Sequence, residues 1–205
     1  MKILIIDDHA VLREGVRRLL ATIPGAEISE ASTTNEALAK LRLDPPHVVI
    51  LDINLNGSSG LELLQRLKSE QKSVRVVMFT MYTEPSYIAR AIKAGAAGYV
   101  SKSAPAGELV TAVRKVAEGE RYIDREIASD LYFNRSSADD PLQKLTNREV
   151  EILRLLGEGK SLTQIASTFG IAYKTVANSC GRLKEKLGLE RTADLIRFSL
   201  DTRTR

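Results

Sequence analysis

Two hydrophobic periods divide this chain. Up to about residue 120, short apolar runs alternate with longer stretches whose apolar residues recur every three or four positions. The runs at 3–6, 26–31, 48–51, 74–80 and 97–101 predict strands. The stretches at 10–21, 34–42, 60–69, 86–94 and 106–118 predict amphipathic helices. Ile3-Leu4-Ile5-Ile6 and Val48-Val49-Ile50-Leu51 are apolar at every position rather than at alternate ones, which predicts strands buried on both faces of a parallel sheet. Local signals agree with these boundaries. Thr33 with Glu36 spells a capping box, and Pro45-Pro46 stops the second helix. Asn56-Gly57 marks a tight turn, and Pro105 suits the first turn of the last helix. Five βα units of this size predict a doubly wound α/β sheet.

Beyond residue 120 the pattern changes. Residues 125–133 predict one short further helix. The polar, small, Pro-terminated segment from Asn134 to Pro141 predicts a linker. Then only the helical period remains. Thr146 with Glu149 and Ser161 with Gln164 spell two more capping boxes, and Val150, Leu153 and Leu156 form an apolar stripe. Gly170 turns the chain into a helix over about 173–187, and 192–200 predicts a last one. The organisation is therefore an α/β domain over 1–120, a short helix and linker over 121–143, and an all-α domain over 144–205.

Composition adds a charge asymmetry. From Leu142 onward there are 12 Lys+Arg against 7 Asp+Glu, a net of +5; the remainder, 30 − 12 = 18 against 26 − 7 = 19, is −1. A basic segment behind a slightly acidic body suits a polyanionic partner for that segment alone. No apolar stretch approaches the roughly 20 residues that span a membrane, and acids interrupt the N-terminus where a signal peptide would be apolar. The single cysteine, Cys180, leaves no internal disulfide framework, so the expected location is a reducing cytoplasm without membrane attachment.

Two of the strand runs end in carboxylates, Asp7-Asp8 and Asp52. Ligands of open parallel sheets collect beyond the carboxyl ends of the strands, where three acids together repel one another unless a hard cation or a raised pKa intervenes. Single acids that end strands usually just cap the next helix. Two neighbouring strands delivering three acids to one edge fit that bland account poorly. Thr80 closes the fourth run, and Tyr99 and Lys102 lie in and after the fifth. An Asp carboxylate can attack a phosphoryl group if a cation neutralises it, here Mg²⁺ held by Asp7, Asp8 and Asp52. A lysine ammonium and a threonine hydroxyl supply partners for the phosphoryl oxygens. Taken singly, Thr80 is a strand-end hydroxyl, Tyr99 a half-buried aromatic with its OH in water, and Lys102 a surface lysine. His9 and His47 lack metal-ligand spacing and read as surface or loop residues.

In the order and spacing of Asp7-Asp8, Asp52, Thr80 and Lys102, residues 1–120 resemble the receiver domain of bacterial response regulators. The resemblance implies a flavodoxin-like, five-stranded parallel sheet with Asp52 as phosphoacceptor. It implies Mg²⁺ on Asp8, Asp52 and the backbone carbonyl of Asn54, with Asp7 acting through water. It implies Lys102 on the phosphoryl group, and Thr80 and Tyr99 as a switch pair whose ring turns inward as the hydroxyl is drawn to the phosphate. One departure is Asn56, where the family usually has proline.

In the helix over 173–187, Val176, Cys180, Leu183 and Leu187 fall on one side, opposite Lys174, Asn178, Gly181, Arg182 and Glu185, with Lys184 and Lys186 on the flanks. A short helix, a Gly-containing turn and a helix with such a face read as helix-turn-helix. Asparagine suits adenine, and lysine or arginine suits guanine or phosphate; a solvated basic face is the plain alternative. Leu-Thr-Asn-Arg-Glu at 145–149, Glu-Gly-Lys-Ser at 158–161, Gln-Ile-Ala at 164–166, Lys-Thr-Val at 174–176 and Lys-Leu-Gly at 186–188 resemble the LuxR-type helix-turn-helix, and with it the whole chain resembles the NarL/FixJ class. This implies DNA contacts from Lys174, Thr175, Asn178, Gly181, Arg182, Lys184 and Lys186, and a dimer helix bearing Leu195, Ile196 and Phe198. Ala172 replaces the usual N-cap serine, and Ala177 and Ser179 replace a lysine and a histidine.

The expected protein is a non-enzymatic two-component regulator, phosphorylated on Asp52 by a sensor histidine kinase and binding promoter DNA as a homodimer when phosphorylated. Two rivals stay open. An Mg²⁺-dependent phosphatase would use the same nucleophile, but it usually needs a second acid two residues on, where this chain has Asn54. A phosphorylation-dependent interaction module with a degenerate DNA-binding domain would account for Ala172, Ala177 and Gly181.

Overall fold

The computed structural model describes residues 1–55, 58–71, 73–133 and 141–203. They form two compact units, Met1–Ser136 and Ser137–Arg205. The expected turn at Asn56-Gly57 and most of the expected linker lie outside the described residues.

The first unit begins with β1 (Lys2–Ile6), α1 (Ala10–Leu20), β2 (Glu27–Ala31), α2 (Thr34–Leu43) and β3 (Val48–Leu51). A two-stranded ribbon, β4 (Asn54–Leu55) and β5 (Ser58–Ser59), leads into α3 (Gly60–Glu70). Then come β6 (Arg75–Thr80), α4 (Pro85–Lys93), β7 (Gly98–Ser101), α5 (Ala106–Glu118), β8 (Tyr122–Ile123) and α6 (Arg125–Phe133). The main sheet has the order β2-β1-β3-β6-β7-β8, and every pairing in it is parallel. Ile3, Ile5, Val48, Ile50, Val77 and Val100 face α1 and α5, where Val16, Leu20, Leu109 and Val113 close the layer. The alternate strand residues Leu4, Ile6, Val49, Leu51, Val76 and Met78 are equally buried and, by the two-residue period, point the other way. This two-faced burial is what the uninterrupted apolar runs demand. Each such side chain contributes about 1.5–3 kcal/mol on leaving water.

The sheet has six strands rather than the expected five. β8 is too short to leave a hydrophobic period, and it is placed by tertiary contacts. Gly119 ends α5 in the left-handed region at φ 97°, and Tyr122 then donates its N–H to Ala97 O at 3.0 Å. The first capping box is also shifted. Thr33 Oγ1 accepts from Glu36 N, but the Glu36 carboxylate takes the N–H of Ser32 at 2.8 Å instead of that of Thr33.

The second unit holds a 3₁₀ turn (Pro141–Lys144) and α7 (Asn147–Gly157), α8 (Leu162–Phe169), α9 (Tyr173–Leu187) and α10 (Thr192–Arg203). No strand occurs among its described residues. The capping boxes at Thr146 and Ser161 are complete. Gly170 and Gly188 end α8 and α9 in left-handed conformations. Val176, Cys180 and Leu183 point into the unit, where α9 packs on α7 and α8. Helices α7 and α10 approach so closely that a Cβ on Gly157 would overlap Ser199 Oγ. Among the described residues no helix is long and apolar enough to cross a membrane.

Candidate functional site

Register brings the acids together. Ile6 pairs with Leu51, so the next residues, Asp7 and Asp52, emerge side by side at the carboxyl edge; Asp52 N donates to Ile6 O at 3.0 Å. Thr80 pairs with Ser101, and Lys102 N donates to Thr80 O at 2.8 Å, which places the lysine at the same edge. Its ammonium donates to Asp7 Oδ2 and Asp52 Oδ2, each at 2.6 Å, with all three side chains nearly enclosed. Burial pushes the Asp52 carboxyl above the ordinary carboxylate value, and the charge of Lys102 only partly offsets this. Burial pulls Lys102 down, but Asp52 and Asp7 outweigh it and leave the ammonium raised.

Ligand atoms of Asp7, Asp8, His9 and Asp52 lie within 4.8 Å of one another. Three carboxylates against one ammonium leave an excess of negative charge. The buried oxygens Asp8 Oδ1 and Asp52 Oδ1 have no hydrogen-bond partner among the described residues. His9 Nδ1 approaches Asp8 Oδ1 to 2.8 Å, but not in hydrogen-bonding geometry. Unpartnered buried carboxylate oxygens in a negatively charged cradle fit a hard divalent cation. His9, expected as a mere loop residue, stands at the rim of this cradle; its adjacency to Asp8 was the available signal.

Gly60 is a second residue whose role spacing did not reveal. The chain returns under the acceptor, with Gly60 N donating to Ile53 O at 2.7 Å. A Cβ on Gly60 would overlap the Asp52 carbonyl oxygen and lie 2.8 Å from Ile53 Cα. Asn54 is half-buried on the ribbon two residues after Asp52, paired with Ser59.

Thr80 is fully buried, and its hydroxyl opposes, without reversing, the rise that burial imposes on the Asp52 pKa. Tyr99 is not half-exposed as expected of it alone. Its ring is 1% exposed, and its OH donates to Tyr82 O at 2.6 Å. Burial, reinforced by the charge of Glu84, holds this phenol well above its usual pKa. Tyr82 N lies 3.4 Å from Thr80 Oγ1, so the backbone of Tyr82 meets both residues. Asp124, buried and unanticipated, accepts from Ser101 N at 2.6 Å with one oxygen and from Ile127 N at 2.9 Å with the other. It thereby ties the end of β7 to the first turn of α6.

On α9, Lys174, Thr175, Asn178 and Arg182 are exposed, and Gly181 and Lys184 are half-buried. Ala172 caps nothing. Lys186 and Leu195 differ from expectation, and Ser179, given no face by the sequence, is placed. Lys186 donates to Glu149 Oε2 at 2.7 Å, so its charge is engaged within the unit. Ser179 is only 4% exposed and so does not lie on the outer face. Leu195 is fully buried, which removes it from the expected dimer face; Ile196 and Phe198 are half-buried, and Leu200 is exposed.

Residues 3–114 match the response regulator receiver domain family, and residues 143–199 match the luxR family of bacterial regulatory proteins. The transcriptional activator protein ExaE of Pseudomonas putida is 34% identical over 206 residues, covering 98% of this chain and 96% of that protein. The DNA-binding transcriptional activator DevR/DosR of Mycobacterium tuberculosis is 37% identical over 205 residues, with 98% and 94% covered. RcsB of Salmonella enterica serovar Typhimurium, solved bound to a promoter in the presence of phosphomimetic BeF3-, superposes with a TM-score of 0.73 at 23% identity, covering 98% of both chains.

Proposed function

The chain belongs to the response regulators that join a receiver domain to a LuxR-type DNA-binding domain, and from that premise we propose that Asp52 is its phosphoacceptor. A carboxylate oxygen of Asp52 forms the O–P bond as the N–P bond of a sensor kinase's phosphohistidine breaks. The electron pair stays on the imidazole nitrogen, which takes up a proton. The observation that carries this reading is the state of Asp52: one oxygen held by Lys102 at 2.6 Å and the other buried without a hydrogen-bond partner among the described residues.

Asp8, Asp52 and the Asn54 carbonyl would hold Mg²⁺, with Asp7 acting through water. When bound, the ion supplies charge neutralisation for the phosphoryl oxygens. Lys102 pairs with one phosphoryl oxygen, and Thr80 donates to another. Tyr99 secures the loop behind Thr80 through Tyr82. The output is promoter binding as a homodimer in the cytoplasm, through Lys174, Thr175, Asn178, Gly181, Arg182 and Lys184. Ile196 and Phe198, with Leu200, are the dimer contacts. The names of ExaE and DevR/DosR as transcriptional activators support this output over a pure interaction module.

The test is labelling by acetyl phosphate with Mg²⁺ present and removed. The wild type should take up phosphate only with the ion, and Asp52→Asn should fall to background. Equal labelling of Asp52→Asn would remove the acceptor assignment.

A further inference from the structure

The basic residues of α9 are not equivalent. Lys186 is neutralised by Glu149 at 2.7 Å. Arg182 has no carboxylate partner among the described residues. Among the described residues its guanidinium bonds only Ser179, from Nη2 to Oγ at 3.3 Å. Ser179 is itself fixed. Its buried hydroxyl donates to Thr175 O, one turn back, at 3.0 Å. A buried hydroxyl must be satisfied, and with its proton committed to the helix its lone pairs face the guanidinium. One corner of an exposed arginine fork is thus anchored, and its remaining donors are unclaimed among the described residues.

The surface beside the fork is open. Ala177, Asn178, Gly181, Arg182 and Glu185 line a shallow concavity of about 450 Å³ on α9 alone. Gly181 has no internal reason to be glycine. Its φ is not positive, and an added Cβ would meet nothing within 4 Å.

We propose that Ser179 is a positioning residue for DNA reading. It presents Arg182 as a preset fork over the Ala177–Gly181 concavity, where the fork takes the O6 and N7 of one guanine in the major groove. A bidentate site rewards such preorganisation, because arginine loses less rotamer freedom on binding when its plane is already held. A phosphate can also take the fork through two N–H groups, but that contact carries no base preference. The inference rests on α9 being the DNA-facing helix.

Selection of duplexes from a random pool by the full-length protein, treated with acetyl phosphate and Mg²⁺, tests it. The wild type should prefer guanine at one position of each half-site by about tenfold or more. Arg182→Ala should abolish that preference. Ser179→Ala should flatten it several-fold at that position alone, with other positions and the salt dependence unchanged, and Ser179→Thr should restore it. An unchanged profile for Ser179→Ala overturns the positioning role. So does a loss spread evenly over all sequences with a salt slope changed by about one, since that is the mark of a phosphate contact. If the wild type selects no sequence at all, the assignment of α9 as the reading helix fails instead.

Discussion

The acidic edge and helix α9 solve opposite problems. At the edge, Lys102 meets a carboxylate 95 positions away, its charge is shared between two acids, and the participants are enclosed. On α9 the candidate contacts lie within one 15-residue helix and face outward. A convergent, buried site leaves no position independent of its neighbours, since each charge is compensated by another and the backbone runs directly beneath. An exposed helix face couples its residues weakly, so Ala172 and Ala177 can depart from the family pattern, and Gly181 can stand inside the helix, without disturbing the fold.

Two glycines test that contrast most strongly. Gly60→Ala must displace the backbone of Asp52, and we expect a loss of about 1–3 kcal/mol in denaturant unfolding together with weakened phosphoryl labelling. Gly181→Ala should do the reverse and stabilise the second unit by about 1 kcal/mol. If both changes stabilise, the edge is less constrained than its geometry states. Asp124→Asn comes next. It sets an amide N–H₂ against the N–H of Ser101 or of Ile127, and about 1–3 kcal/mol should be lost by leaving a buried donor unpaired, with amide exchange in α6 accelerated. Ala172→Ser should add about 1 kcal/mol by capping α9; an unchanged melting curve would show that the bare N-terminus is satisfied otherwise.

The smallest effect is a pH dependence. Burial works to raise the Glu149 pKa, but Lys186 and the Thr146 amide and hydroxyl hold it below 4.5. Its folded value lies under its unfolded one, so its contribution is full above 4.5 and fades as pH falls below that. Wild type should exceed Glu149→Gln by about 0.5–1 kcal/mol at neutral pH, and urea midpoints should converge in acid. A gap that persists in acid would assign the benefit to packing.

Legibility follows the same divide, with an inversion. The buried edge was readable in outline because a parallel sheet writes itself as uninterrupted apolar runs, and register then carries Asp7, Asp52 and Lys102 to one place. What escaped were residues defined by tertiary return. Asp124 follows a two-residue strand, and Gly60 matters only because the chain folds back under Asp52. On α9 the wheel named Val176, Cys180 and Leu183 of the inner stripe correctly, but Leu187 is only half-buried and the borders could not be assigned. Ser179 sits where a neighbouring helix decides exposure, and the partner of Lys186 lies 37 positions away. Leu195 was placed by resemblance, and the burial of α10 against α7 moved it inside.

The backbone of Tyr82 has one more consequence. Thr80 and Tyr99 are joined through its N–H and its carbonyl, and its side chain takes no part in those two bonds. The join is therefore carried by a peptide group that substitution leaves in place. A scan replacing every side chain with alanine would register Thr80 and Tyr99 as separate losses, and at Tyr82 it would remove the ring stacked on Tyr87 at 4.9 Å while leaving the join in place. Removing the amide proton with proline, or replacing the amide by an ester through chemical synthesis, is what exposes a connection written in main chain.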